Sequence, residues 1–190
     1  TVTVSDGTDS VTQAITVNIT DVDEAVPNSA PSITSSATFS AAENQTSIGS
    51  VSASDPDGDS LTYSISGSEI NISSSGVLTF ASAPDYETKT SYTATVTVSD
   101  GIASANQNIE VNINNLNDNS PSFTSNATFT ADENQTAIGS VTATDADGDA
   151  IVYSISGSDI TINSSSGVIA FVSAPDYETK AVYTATVTAS

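Results

Sequence analysis

Apolar and polar residues alternate over several short runs of this chain. Tyr92, Ala94, Val96 and Val98 fall on one side of such a run, with Thr93, Thr95 and Thr97 on the other. Leu61, Tyr63 and Ile65 repeat the pattern, as do Ile109, Val111 and Ile113. A period of two puts every second side chain on the same face, so each run predicts a strand with one face buried and one wet. Asp-Gly and Ser-Gly pairs punctuate the runs as turn signals, and short strands so punctuated predict an antiparallel β-sandwich. No segment sustains a helical period.

The pattern is written more than once. Glu43-Asn44-Gln45-Thr46 returns as Glu133-Asn134-Gln135-Thr136, and Asp55-Pro56-Asp57-Gly58-Asp59 as Asp145-Ala146-Asp147-Gly148-Asp149. Pro84-Asp85-Tyr86-Glu87-Thr88-Lys89 returns as Pro175-Asp176-Tyr177-Glu178-Thr179-Lys180. Thr95–Gly101 matches Thr1–Gly7, and Ile109–Ile113 matches Ile15–Ile19. The period is about ninety residues, a size at which one sandwich core can be built. Residues 1–26 then read as the tail of one module and 27–118 as a complete one. Residues 119–190 read as a third copy that stops before its Asp-Gly turn and last strand. That third copy is expected to present an open edge and an apolar groove. Val11 to Ile19 is a strand of the missing type, which a neighbouring copy of the chain could use by strand addition. The chain begins inside a strand pattern and has no Met, as expected of a segment of a longer protein.

Charge narrows the function. The 190 residues carry 23 acids against 2 bases, a net charge of −21. Nucleic-acid binding needs a cationic footprint, and anionic lipid would repel such a surface, so both partners are excluded. No run reaches the apolar length of a membrane span, which argues against direct membrane insertion. There is no His or Cys, and no nucleophile has a visible activating base; the chain is not expected to be an enzyme. Self-repulsion at this charge opposes a compact state unless counterions neutralise it. All but five of the acids (Asp9, Glu69, Glu110, Asp132 and Asp159) fall in the recurrent clusters or between modules. A merely salt-adapted surface would scatter them. Hard cations such as calcium take about six to eight oxygen ligands, and clustered carboxylates repel unless a cation lies between them.

The clusters are not EF-hands. Asp55, Asp57 and Asp59 have the opening spacing, but Ser60 and Ser66 stand where that loop needs Gly and Glu. Asp145, Asp147 and Asp149 fail likewise at Ala150 and Ser156. The order Ala-Glu-Asn (42–44), Asp-x-Asp (55–57), Asp-Tyr-Glu (85–87), Asp-Gly (100–101) and Asn-Leu-Asn-Asp-Asn (115–119) instead resembles the extracellular cadherin repeat. More narrowly, it is similar to the cadherin-like repeats of very large bacterial surface adhesins. The resemblance covers the whole chain. It implies an all-β array of tandem seven-stranded Greek-key sandwiches, extracellular and at the cell surface, with Ca2+ at each junction between adjacent repeats.

By motif, the resemblance assigns Glu43, Asp85, Glu87, Asn117, Asp118, Asn119, Asp145 and Asp147 to the junction between the second and third copies, with Asp149 as a further ligand. Asn115 stands where the first linker acid is usual, which weakens one ligand position. The earlier junction would draw on Asp21, Asp23 and Glu24 from the linker and on Asp55, Asp57 and Asp100. Its linker carries the extra residues Val26-Pro27-Asn28-Ser29. Glu133, Asp176 and Glu178 form half of a further site. These last two sets are expected to bind poorly or not at all. Lys89 and Lys180 are expected to pair locally with carboxylates. The chain thus reads as a calcium-rigidified spacer of a surface adhesin, with a strand-complemented filament subunit as the alternative.

Overall fold

A computed structural model of the protein describes residues 1–22 and 26–190, and every regular element among them is a strand. Residues 1–22 hold one antiparallel hairpin, β1 (Val2–Ser5) and β2 (Ser10–Gln13), paired from Val2↔Gln13 to Ser5↔Ser10. Its turn is built by one carboxylate. Asp6 Oδ1 accepts the N–H groups of Thr8 and Asp9 at 3.0 and 2.8 Å, and Gly7 supplies the positive φ of 99°. All 22 residues are exposed.

The next nine strands enclose the larger core. They are β3 (Ser32–Ile33), β4 (Thr38–Ala42), β5 (Ser47–Ser50), β6 (Ala53–Ser54), β7 (Thr62–Ile65), β8 (Ile70–Ile72), β9 (Val77–Phe80), β10 (Ser91–Ser99) and β11 (Ser104–Asn114). One sheet runs β4-β11-β10-β7, with β4 parallel to β11 and the other pairs antiparallel. Facing it are the sheet β5-β9-β8 and the short pair β3-β6. Val96, Val98, Ile109, Val111 and Ile113 from the first sheet meet Ile70, Leu78 and Phe80 from the second, all buried. On the wet side of β10 and β11, Thr95 and Thr97 donate to Asn108 and Asn106. The predicted alternation at 92–98 and 109–113 is therefore real, because each strand is covered on one face alone.

The third set comprises β12 (Ser122–Phe123), β13 (Ala137–Ser140), β14 (Ala143–Thr144), β15 (Tyr153–Ile155), β16 (Ile160–Ile162), β17 (Val168–Phe171) and β18 (Val187–Ala189). Pairing repeats the earlier order: β13-β17-β16 matches β5-β9-β8, and β12-β14 matches β3-β6. Residues 128–132, the counterparts of β4, form no ladder, and the buried hydrophobic cluster of this core is small: Val141, Tyr153 and Ile169. Phe129, Ile138, Ile160, Phe171 and Tyr183 flank a groove of about 590 Å³.

Two of the isolated acids have a structural use. Lys89 Nζ lies 2.6 Å from Glu69 and 4.1 Å from the Tyr92 ring centroid, and that ring packs on Phe80. Lys180, Asp159, Tyr183 and Phe171 repeat the arrangement. The ion pairs are exposed and worth about 0.2–1 kcal/mol each.

The turn from β8 into β9 lies close against neighbouring backbone. Gly76 has φ +81°, and a Cβ there would run into the Val51 carbonyl; Gly167 stands identically against Val141. Gly76→Ala is expected to destabilise this sandwich by more than about 1 kcal/mol through both effects. Leu78→Ala, at a fully buried position, is expected to cost about 2–5 kcal/mol. Val77→Ala, on the exposed side of the same strand, should stay within about 0.5 kcal/mol. Urea denaturation of the three variants checks this order.

Candidate metal centre

The site begins with a buried charge. Chain leaving β4 turns at Glu43-Asn44, where Asn44 takes the left-handed conformation at φ 62° and donates its N–H to Pro84 O at 2.9 Å. This turn sends the Glu43 side chain inward, leaving it 2% exposed. Its Oε2 accepts the Tyr86 N–H at 2.8 Å and its Oε1 the Leu116 N–H at 2.7 Å. One carboxylate thus ties the loop after β9 to the linker after β11. Asn134 and Glu133 repeat the first half of this device, with Tyr177 N–H on Glu133 Oε2 at 3.0 Å.

Tethered at Leu116, the linker runs onto the loop after β14. Asp118 and Asn119 both donate backbone N–H groups to Asp147 Oδ2, at 3.1 and 2.8 Å. Asn119 Nδ2 reaches Asp147 Oδ1 at 3.1 Å, Asp118 Oδ1 at 2.8 Å and Glu87 Oε2 at 3.4 Å. Asn115 Nδ2 donates to Asp147 O at 2.9 Å, Asn117 to Asp149, and Asn44 to Asp118. The result is a convergence of Glu43, Glu87, Asp118 and Asp147, each with a carboxylate oxygen within 4.8 Å of the others. Asp145, Asp147 and Asp149 form a second group that shares Asp147.

Such convergence is electrostatically expensive. Two unit charges at this separation repel by about 3 kcal/mol at an effective dielectric constant near 20. Local desolvation together with the charges of Glu43 and Asp147 raises the exposed Glu87 carboxyl above its ordinary value. Burial also pushes Asp147 upward, but the Asn119 side chain and backbone N–H groups outweigh it and hold that carboxyl low. Neither lysine comes to the cluster; both are engaged with Glu69 and Asp159. The donor set is all oxygen, with several donors from each side of one linker, and suits a hard divalent cation. In the equivalent loop Asp55, Asp57 and Asp59 also converge, and Asp55 Oδ2 is buried with no hydrogen-bond donor. An orphaned carboxylate oxygen of that kind fits a cation ligand.

The remaining sequence-assigned residues are distributed unevenly. Asp85 turns both oxygens onto its own loop, accepting from Glu87 N–H, Thr88 N–H and Thr88 Oγ1, and these bonds lower its carboxyl. Asp100 does the same with Ile102 and Ala103 through Oδ1. At the earlier junction Asp57 and Asp100 are met by Ser29 and Asn28, at 2.7 and 3.1 Å. Asp21 is exposed, and Asp23 and Glu24 lie outside the described residues. Glu133, Asp176 and Glu178 converge as a half-site. Asn44 is a site residue that the motif assignment left out, and Asn115, read as a weakened ligand position, donates to Asp147 instead. Asn44 was legible as the invariant partner of Glu in Glu43-Asn44 and Glu133-Asn134.

The Glu87 shift has a definite sign. With its folded value raised above 4.5, the folded junction holds a proton that the unfolded chain has lost, so stability falls as pH rises through the window above 4.5. Asp147 acts oppositely and only below 3.8, where stability is lost as pH falls. In chelator, the melting temperature is expected to rise as pH drops from about 7 to about 5. Glu87→Gln should flatten part of that rise, and identical pH curves for the variant and the parent would show the assignment wrong.

A family model described as a bacterial Ig domain matches residues 28–112. Mouse cadherin-23 EC22-24 superposes with a TM-score of 0.72 at 28% identity, covering 86% of this chain and 60% of that one. Human protocadherin-24 EC1-2 gives 0.68 at 25% identity, with 86% and 94% covered. Drosophila N-cadherin EC1-4, at 21% identity and a TM-score of 0.66, shares the fold over 85% of this chain and 45% of that one. No curated protein matches the chain. Among the described residues no helix is long and apolar enough to cross a membrane. The matched family model and the superposed structures are Ig-like and cadherin domains, which are not enzymatic families. The chain is an all-β protein whose sandwiches are similar to cadherin extracellular domains, with a match to a bacterial Ig domain over residues 28–112.

Proposed function

We propose that the chain is a calcium-rigidified segment of an extracellular surface adhesin, a structural spacer that holds adhesive parts away from the cell. In this reading the repeats divide at 1–26, 27–118 and 119–190. Glu43, Glu87, Asn117, Asp118, Asn119, Asp145, Asp147 and Asp149 hold the cation at the second division. The convergence of Glu43, Glu87, Asp118 and Asp147 carries the proposal. Calcium supplies positive charge there, replacing mutual repulsion with shared coordination. The chain's own residues do the rest. Glu43 anchors the linker through Leu116, and Asp147 receives two linker N–H groups. A linker held at both ends stiffens the run of sandwiches into a rod.

Calcium binding only the folded state stabilises it by mass action, by about 2.7 kcal/mol at a hundredfold excess over Kd. Titration is therefore expected to raise the melting temperature, and chelator to broaden the distribution of maximum dimensions in small-angle scattering. Asp147→Asn should remove most of the calcium-dependent shift. Glu110→Gln, on an exposed strand position outside both acidic groups, should keep it. A melting temperature indifferent to calcium sinks the proposal.

A second reading, the strand-complemented filament, is favoured by one observation. Ile15, Val17 and Ile19 are 58, 77 and 92% exposed, whereas their repeat counterparts Ile109, Val111 and Ile113 are buried. In a filament these three would enter the groove beside Phe129 of the next copy. Concentration-dependent filaments in electron micrographs, abolished by Val17→Asp, are the expected outcome; a strictly monomeric chain at high concentration overturns it.

A further inference from the structure

Two stretches of chain sit on acidic loops in the same way. Ser29 donates its N–H to Asp57 Oδ2 at 2.7 Å, as Asn119 does to Asp147 Oδ2 at 2.8 Å. The match continues into Pro31-Ser32 and Pro121-Ser122, and it sets Asn28 where Asp118 stands. Their charges differ. Asp118 adds a carboxylate to the group of Glu43, Glu87 and Asp147. Asn28 adds none: its Nδ2 donates to Asp100 Oδ2 at 3.1 Å and to Ser29 O at 3.3 Å.

The Asn28 contact completes a shell. Asp100 Oδ1 is already filled by the N–H groups of Ile102 and Ala103, at 2.7 and 2.6 Å, so the amide closes the remaining oxygen. Asn28 and Ser29 are half-buried, while Asp118 and Asn119 are exposed. A neutral amide beside two carboxylates satisfies a lone pair without the repulsion that another carboxylate would bring.

We infer that Asn28 and Ser29 take the place of a cation at Asp100 and Asp57: the Asn28 amide closes Asp100 while the Ser29 N–H closes Asp57, so residues 28–31 are seated without metal even though the orphaned Asp55 Oδ2 stays open to one. The contrast rests on the calcium reading of the 115–119 seam. The chain then has two unequal seats, one held by hydrogen bonds at any calcium level and one that tightens only when calcium is present. Position 28 decides which kind a seat is. Aspartate there would face Asp57 and Asp100 and make the seat demand a cation.

Amide hydrogen exchange on the 190-residue chain, in calcium and in chelator, tests this. Ser29 is expected to keep its protection within about twofold on chelation, while Asn119 loses about tenfold or more. Asn28→Ala should cost Ser29 about tenfold in both conditions. Asn28→Asp should cost it a similar factor in chelator and restore it in calcium. Ser29 losing protection on chelation as far as Asn119 does, or Asn28→Ala leaving Ser29 unchanged, overturns the inference. If Asn119 ignores calcium while Ser29 still follows residue 28, the calcium reading of the seam fails and the Asn28 clamp stands.

Discussion

Glu43 buries a carboxylate against two backbone N–H groups, and the geometry of the seam hangs from that side chain. A buried charge is tolerated only when hydrogen-bonded or paired, so its two oxygens select what may pack against them. They select Tyr86 and Leu116, which belong to the loop after β9 and the linker after β11. Because Leu116 is held, Asp118 and Asn119 arrive at Asp147 in one register. The left-handed Asn44 makes this possible by turning the chain sharply at the end of β4.

The large negative charge resolves into three uses. Asp6, Asp85 and Asp100 satisfy backbone donors of their own turns, and these bonds hold all three carboxyls low. Glu69 and Asp159 take the two lysines. The remaining clusters converge on one another, and only they call for positive charge from outside the chain. Asn28 adds a refinement, since one amide changes what an acidic loop requires of its neighbour. A count of acids would miss this, because two loops with the same three aspartates differ through what is seated on them.

Much of this was legible in the residues. Alternation at Tyr92–Val98 and Ile109–Ile113 marked the buried faces, because a strand covered on one side records its surroundings with a period of two. The repeated Glu-Asn and Asp-x-Asp words marked acids that converge in space. Other features were not legible. Asp85 and Glu87 lie in one motif, yet Asp85 caps its own turn while Glu87 faces the cluster. Residues 26–29 read as surplus linker by comparison with 115–119, but 28 and 29 are the part that docks. Asn115 read as a weakened ligand position and is a donor to the Asp147 carbonyl.

By itself the sequence determined what is local or periodic: strand faces, turns, the repeat, and which words carry charge. Those properties depend on residues a few positions apart, whose relation the backbone geometry of strands and turns already sets. The motif resemblance had grouped these acids at one junction, but only the tertiary structure decided that Glu87 joins the cluster while Asp85 caps its own turn. Glu43, Glu87, Asp118 and Asp147 are separated by tens of residues and meet because a buried hydrogen bond pins the linker. Coulomb repulsion and amide hydrogen bonds act through space at a few ångströms, so their balance is set by packing and not by order along the chain.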